Sequence, residues 1–164
     1  IVGYNFNPAV DPALADVAPP VGEWLADATK AKWGRLVGFG SAKVLWPNSA
    51  MRWGAPDLRG YDSVIPRWTV DALDTIENVL PPDGMITYNR IGNLESVDSL
   101  DHPLLHALGG RYIATTESLS ADGLALVYQD ESVRVYENEG AMPRAWLVNR
   151  RANSAPEMPS SKPG

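Results

Sequence analysis

The sequence predicts an α/β or α+β fold, with a mixed β-sheet, flanking helices and a C-terminal antiparallel hairpin. Two observations predict this fold. Helical patterns alternate with strand-like runs over the first two thirds of the chain, and strands separated by helices can pair in parallel. Near the end, the strand-like runs Leu124–Tyr128 and Val133–Tyr136 are separated by only four residues, which indicates an antiparallel hairpin.

In the first half of the chain the pattern predicts two helices. From Val21 to Ala28, apolar residues recur at the spacing of one helix face. They follow two prolines that suit a helix start and precede Gly34, which suits its end. The next helix, Trp68–Leu80, carries a mostly apolar stripe and ends at a Pro-Pro-Asp-Gly turn. Short strands are predicted over Val2–Phe6, Arg35–Phe39 and Lys43–Trp46.

The second half should add one short helix and complete the sheet. Asp101 or His102 is expected near the cap of this helix, because Pro103 suits its first turn. The segment Arg111–Thr116 is rich in aromatic and β-branched residues, as strands are. The other predicted elements are a strand Met85–Tyr88, a polar loop to Leu100, the helix through Leu108, the hairpin, and a strand Arg144–Asn149 that closes the sheet.

The composition is that of an ordinary globular domain. With 164 residues the chain can bury a core, and its net charge of −6 argues against a general nucleic-acid binder. The absence of cysteine excludes disulfides, thiolate metal sites and cysteine nucleophiles. We expect residues 1–149 to form one domain and residues 150–164 a disordered tail or a linker. Because the chain begins with Ile1 rather than Met, we interpret it as a piece of a longer protein.

The segment Gly54–Trp68 concentrates charged and aromatic residues in one predicted loop. In one interpretation the polar groups of this loop bond to one another, with Asp57 and Asp62 capping turns and pairing with Arg59 or Arg67. Apolar side chains would then anchor the loop to the core: Leu58, Tyr61, Val64 and Ile65. A general acid is not expected here, because Arg59 between the two aspartates would keep both carboxylates ionised.

In the second interpretation the same segment is a recognition surface. Guanidinium groups bind phosphate or carboxylate through two parallel hydrogen bonds, and Arg52, Arg59 and Arg67 could present such forks. An aromatic side chain would stack on a sugar ring or an apolar chain: Trp53, Tyr61 or Trp68.

Three further patterns favour structural roles. His102 and His106 are spaced to share a helix face, but a zinc site lacks a third ligand, so a cap or a solvent-facing pair is expected. The run Gly38–Ser41 lacks the full phosphate-loop pattern and predicts a simple turn. After the hairpin, Asn138 or Gly140 could take the positive φ that a tight return requires.

Several segments of the sequence together carry a resemblance to a known family. Val135-Tyr136-Glu137-Asn138 followed by Met142–Val148 resembles the "vYeN…lPRAflV" signature of the YfhO-like family of bacterial membrane proteins. Pro47-Asn48, Gly54 and Asp57–Asp62 resemble its "PN…G…dirGYd" segment. Weaker similarities are carried by Leu105–Ala114 and Tyr4–Pro8. The segments lie in the family's order and span most of Tyr4–Val148.

The resemblance implies a multi-pass parent protein similar to polyprenyl-phosphate-sugar-dependent glycosyltransferases. This chain would be a soluble domain on the extracytoplasmic face of the bacterial cell membrane. The catalytic carboxylates of such enzymes lie outside it, so no catalytic residue, metal or cofactor is expected here. Two departures from the family are the missing membrane spans and the early end after Val148.

The leading hypothesis is a non-catalytic domain that binds or positions a glycan or a lipid-linked sugar. Its partners would be that ligand and its own transmembrane region, without nucleic acid. The alternatives are a structural module that braces the membrane portion or a partner, and an independent soluble enzyme. The predicted ligand contacts are Asn48, Arg52, Asp57, Arg59, Tyr61, Asp62, Arg67 and Arg144.

Overall fold

The computed structural model describes residues 11, 13, 17–42, 44–60, 65–78 and 92–147. Within them, a four-stranded mixed sheet lies between helices on its two faces, as the sequence predicts. The strands are β1 (Arg35–Gly38), β2 (Gly110–Thr115), β3 (Leu124–Gln129) and β4 (Arg134–Asn138). Their order in the sheet is β1-β2-β4-β3. β1 is parallel to β2, and the other two pairs are antiparallel.

The alternation of side chains along the strands builds two apolar cores. Successive residues of a strand face opposite sides of the sheet, so Leu36 and Val135 point to one side while Val37 and Tyr136 point to the other. Helix α1 (Pro20–Lys32) covers the first side. Helices α2 (Arg67–Ile76) and α3 (Pro103–Ala107) cover the second. Two 3₁₀ helices add to these layers: Ala50–Trp53 lies on the side of α1, and Val97–Asp101 lies on the side of α2 and α3.

The helix starts follow the sequence signals. α1 begins with Pro20 in its first turn. Proline is tolerated there because the N–H groups of the first turn have no acceptor within the helix. α3 begins at Pro103, and the His102 Nδ1 accepts a hydrogen bond of 3.1 Å from the Leu104 N–H. His102 is therefore the cap of α3, one of the two residues expected there.

One predicted strand, Lys43–Trp46, is wrong for its described part, because residues 44–46 form bends stabilised by local bonds. The Val44 N–H donates to the Ala42 carbonyl, and the Ser49 N–H and hydroxyl both donate to the Trp46 carbonyl. These bonds replace a sheet ladder. Isolated bridges instead pair Leu36 of β1 with Asp57, and Phe39, the residue after β1, with Leu94.

The predicted closing strand is also wrong over its described part, residues 144–147. These residues form no ladder, and their side chains are exposed, so no apolar surface holds them on the sheet. Neither Asn138 nor Gly140 takes a positive φ at the return. Instead the Asn138 Oδ1 accepts from the Gly140 N–H at 3.0 Å, and this side-chain bond shapes the turn.

Some predictions lie outside the described residues. These are the strands Val2–Phe6 and Met85–Tyr88, the last part of the Trp68–Leu80 helix, Tyr61 and Asp62, and the tail 150–164.

Candidate functional site

Arg59 lies inside the protein, in a network with Asp57 and Asn93. Its side chain and that of Asp57 are almost completely shielded from solvent. The guanidinium donates from Nε and Nη2 to the two Asp57 oxygens, at 3.0 and 2.8 Å. Its Nη1 donates to the Asn93 Oδ1 at 2.6 Å, and the Asn93 amide donates to the Gly40 carbonyl at 2.9 Å. Asp57 and Arg59 therefore bond to each other inside the protein, as the first interpretation of the loop predicts.

Gly38 makes room for this network. A Cβ on Gly38 would overlap the Arg59 guanidinium and the Asn93 Oδ1. Gly38, which the sequence placed both in the strand Arg35–Phe39 and in the turn Gly38–Ser41, is the last residue of β1, and its missing side chain admits a buried arginine. Together, Arg59 and Asn93 connect the loop to Gly40, which follows β1.

The other predicted ligand residues lie at or near the surface. Asn48 lies in a turn with φ 70°, a conformation that asparagine tolerates. Arg52 is exposed on the 3₁₀ helix Ala50–Trp53. Arg67 is exposed at the start of α2, with its Nε 3.5 Å from the Asp71 Oδ2. Arg144 is exposed after the hairpin.

A cleft of about 240 Å³ brings Arg144 close to a residue that the sequence reasoning missed, Arg35 at the start of β1. The signal available in the sequence was a charged residue at the first position of an otherwise apolar strand. The walls of the cleft are mostly apolar: Met51, Pro56, Leu58, Trp68, Ala72, Leu73 and Leu108. Asp57 also borders the cleft, but its carboxylate is buried against Arg59.

The two guanidinium groups of the cleft lack a carboxylate partner among the described residues. The Arg35 Nη1 donates to the Leu108 carbonyl at 3.0 Å, which is a neutral acceptor. Burial, and then the positive charge of Arg144, lower the pKa of Arg35. The arrangement therefore places two like charges next to apolar walls, where an anion would be stabilised by both.

Two further concavities meet this cleft at Arg144. One, of about 540 Å³, is lined by residues of α1 together with Trp33 and Trp53. The other, of about 510 Å³, is lined by Lys32, Trp33 and Pro143 as well as Arg144. We call the three concavities together the Arg144 groove. Lys30 adds positive charge and Asp27 negative charge to its lining, while Lys32 is paired with Glu137 at 2.7 Å.

Trp33, which lines the groove, has an unusual backbone conformation. It ends α1 in the left-handed conformation, with φ 53° and ψ 32°, and the residue is 67 % exposed. This conformation is strained for a bulky residue, and burial of the exposed apolar surface of the indole against a ligand would be favourable. Strained residues often cluster at binding sites. Trp68, at another wall of the groove, is 70 % exposed.

Each histidine of the pair contacts a residue close to it in the sequence. His106 has its Nε2 3.6 Å from the Asp101 Oδ1, and His102 caps α3. Over the described residues, no cluster of three or more His, Asp or Glu side chains is arranged to hold a metal ion. In the same part of the chain, no helix combines the length and apolar character that crossing a bilayer requires.

Comparison with models of protein families gives no match, and comparisons with curated proteins and with solved structures give none either. The resemblance to the YfhO-like family therefore stays a prediction. Chemically, the Arg144 groove is suited to binding. Its guanidinium forks can bind oxyanions, and its indole faces can pack on sugar rings or apolar chains.

Proposed function

We propose that this chain is a non-catalytic extracytoplasmic domain of a YfhO-like multi-pass bacterial membrane protein, in which it binds or positions a glycan or a lipid-linked sugar. The parent protein would be a polyprenyl-phosphate-sugar-dependent glycosyltransferase. One observation carries the binding proposal. Arg144 belongs to one of the two longer motifs that carry the family resemblance, and it is also where the three concavities of the groove meet.

Binding is measured by isothermal titration calorimetry with soluble glycans and short-chain lipid-linked sugar analogues. The variants Arg144→Ala and Trp33→Ala should each weaken binding at least about tenfold, because each removes a side chain of the groove. Arg134→Ala is the matched control. It removes the same charge from β4, where Arg134 donates to the Thr116 carbonyl, and it should leave binding unchanged. Equal affinity in wild type and both groove variants would contradict the proposal.

The second candidate function is a structural module that braces the membrane portion or a partner. The buried Arg59 network favours it, because Asp57 and Arg59 of the Gly54–Trp68 segment are used for internal cross-linking. This candidate predicts no glycan binding by the folded domain. It also predicts that Arg144→Ala changes only the association of the domain with the membrane portion, measured by co-purification.

The family proposal has a separate test in the full reading frame. A multi-pass parent requires many apolar segments of about 20 residues upstream of Ile1. Their absence from the reading frame would remove the membrane-protein proposal, while the groove and its binding assay would stand on the geometry alone.

A further inference from the structure

We propose that Arg35 and Arg144 form an anion subsite, at which the cleft binds the phosphate-monoester group of an amphiphile whose apolar part packs against the Leu58 and Trp68 wall. This inference goes beyond the proposed function and rests on its claim that the groove is a ligand site. It names the chemical class of an anionic ligand and the two guanidinium groups that hold it.

The first argument is charge balance. Acidic residues outnumber basic ones in this chain, 20 to 14, so carboxylate partners are plentiful. Arg59, Arg67 and Arg111 have such partners, namely Asp57, Asp71 and Glu137. Arg35 and Arg144 have none among the described residues although they repel each other. Two adjacent guanidinium groups match a dianion such as a phosphate monoester, whereas a carboxylate would neutralise only one of them.

The second argument is the chemistry of the walls. An inorganic ion needs only donors, but this cleft also offers apolar side chains, among them Leu58, Trp68 and Leu108. Its lining area is mainly apolar, so a ligand that fills it must combine an anionic group with a hydrocarbon part. Asp57 borders the same space, and its carboxylate would repel an anion were it not engaged by Arg59.

The third argument is size. The cleft of about 240 Å³ is smaller than the ~300–1,000 Å³ typical of small-molecule sites. It therefore holds an oxyanion and a short apolar segment, and a larger ligand has to continue past Arg144. The two concavities that open there, with Trp33 and Trp53, give the remainder of the ligand a path along α1.

The test uses the folded chain and three probes: inorganic phosphate, hexyl phosphate, and vesicles of phosphatidylcholine with or without phosphatidic acid. Binding to the soluble probes is measured by calorimetry and by the rise in Tm, since a ligand that binds only the folded state raises it. Hexyl phosphate should bind at least about tenfold more tightly than inorganic phosphate because of the apolar wall. Its affinity should fall as salt is added.

The variants follow from the two arginines. Arg144→Ala should weaken hexyl phosphate binding at least about tenfold. Arg144→Lys should give an intermediate loss, because it keeps the charge without the fork. Arg35→Lys is the second variant. Lysine keeps a long side chain at the start of β1, so the strand should stay intact, and this variant should also weaken binding. Without ligand, Arg144→Ala should not lower Tm, because it relieves repulsion with Arg35. Arg134→Ala is again the matched control.

The outcomes separate this inference from the proposed function. Binding of glycans with no effect of hexyl phosphate would overturn the anion subsite alone. Binding of hexyl phosphate with no glycan or lipid-linked sugar would leave the subsite and overturn the proposed ligand class. Equal affinities for inorganic and hexyl phosphate would overturn the role of the apolar wall. Binding to phosphatidic acid vesicles together with hexyl phosphate supports the subsite and identifies a lipid headgroup as its source. Binding to vesicles alone, unaffected by Arg144→Ala, counts against it.

Discussion

Replacement of Arg59 by alanine should be among the most destabilising single changes in this protein. The substitution removes two hydrogen bonds to Asp57 and one to Asn93. It leaves the Asp57 carboxylate buried without its positive partner, since that side chain has no exposed area. A buried charge without compensation costs more than the lost bonds themselves, because water cannot reach it unless the structure opens.

The magnitude follows from these contacts. Three hydrogen bonds to a charged group are worth roughly 1.5–3 kcal/mol each, and partial relaxation reduces the sum. Breaking a buried ion pair by removal of one partner costs about 3–5 kcal/mol, and we expect Arg59→Ala to fall in this range. That loss is a large fraction of the ~5–15 kcal/mol that stabilises a typical domain.

Urea unfolding followed by tryptophan fluorescence measures the effect. Arg67→Ala is the control. Its side chain is 72 % exposed and its Nε lies 3.5 Å from the Asp71 Oδ2, so its loss should cost about 0.5 kcal/mol or less. The double variant Asp57→Ala/Arg59→Ala should lose less than the sum of the two single losses, because neither charge is then left alone. A loss below about 1 kcal/mol for Arg59→Ala, or additivity in the double variant, would refute the reasoning.

Three further predictions concern stability. Gly38→Ala should cost about 1–3 kcal/mol in urea unfolding, and less in the Arg59→Ala background, because the new Cβ overlaps the guanidinium. Asn138→Ala should also cost about 1–3 kcal/mol, because the buried amide bonds two carbonyls and one N–H; full stability by the same measurement would count against this. Hydrogen bonds, first of all the one from the Ser132 N–H, lower the pKa of Asp130 to about 2. Asp130 therefore stabilises the fold above about pH 4 and this contribution is lost as the pH falls toward 2, so the Tm difference from Asp130→Asn should shrink over that range.

The fold was largely predictable because local signals decide it. Helix starts at Pro20 and Pro103 follow from proline stereochemistry, and strands β1, β2, β3 and β4 follow from runs of branched and aromatic residues. The two failed strands have a common cause. Residues 44–46 and 144–147 carry strand-like sequences, but the hydrogen bonds and burial that make a strand depend on a partner segment, which local sequence does not specify.

The site was predictable only in part, because it depends on contacts between distant segments. Asn93 is 34 positions from Arg59, and nothing near the arginine indicates that an amide fills its third bonding direction. Arg35 was missed for the same reason, since its relation to Arg144 is created by the parallel pairing of β1 with β2 and the return after the hairpin. Residue types indicated arginine chemistry, and topology decided which arginines line the cleft.

Within the part of the chain that the structure describes, the buried Arg59 differs from the cleft residues Arg35 and Arg144 in having a carboxylate, that of Asp57, as its partner. The Asp57 carboxylate could have faced the cleft, where it would have neutralised Arg35 or Arg144. Instead, three donors of Arg59, including its own backbone N–H at 2.9 Å, hold it in the interior. The buried network therefore does more than brace the loop, because it keeps a negative charge away from the cationic cleft. Arg59→Ala in a still-folded protein should free this carboxylate and weaken binding of hexyl phosphate. Adding Asp57→Asn to the Arg59→Ala variant should restore that binding. Failure to restore it would show that the Arg59 network has no effect on the Arg35 and Arg144 pair.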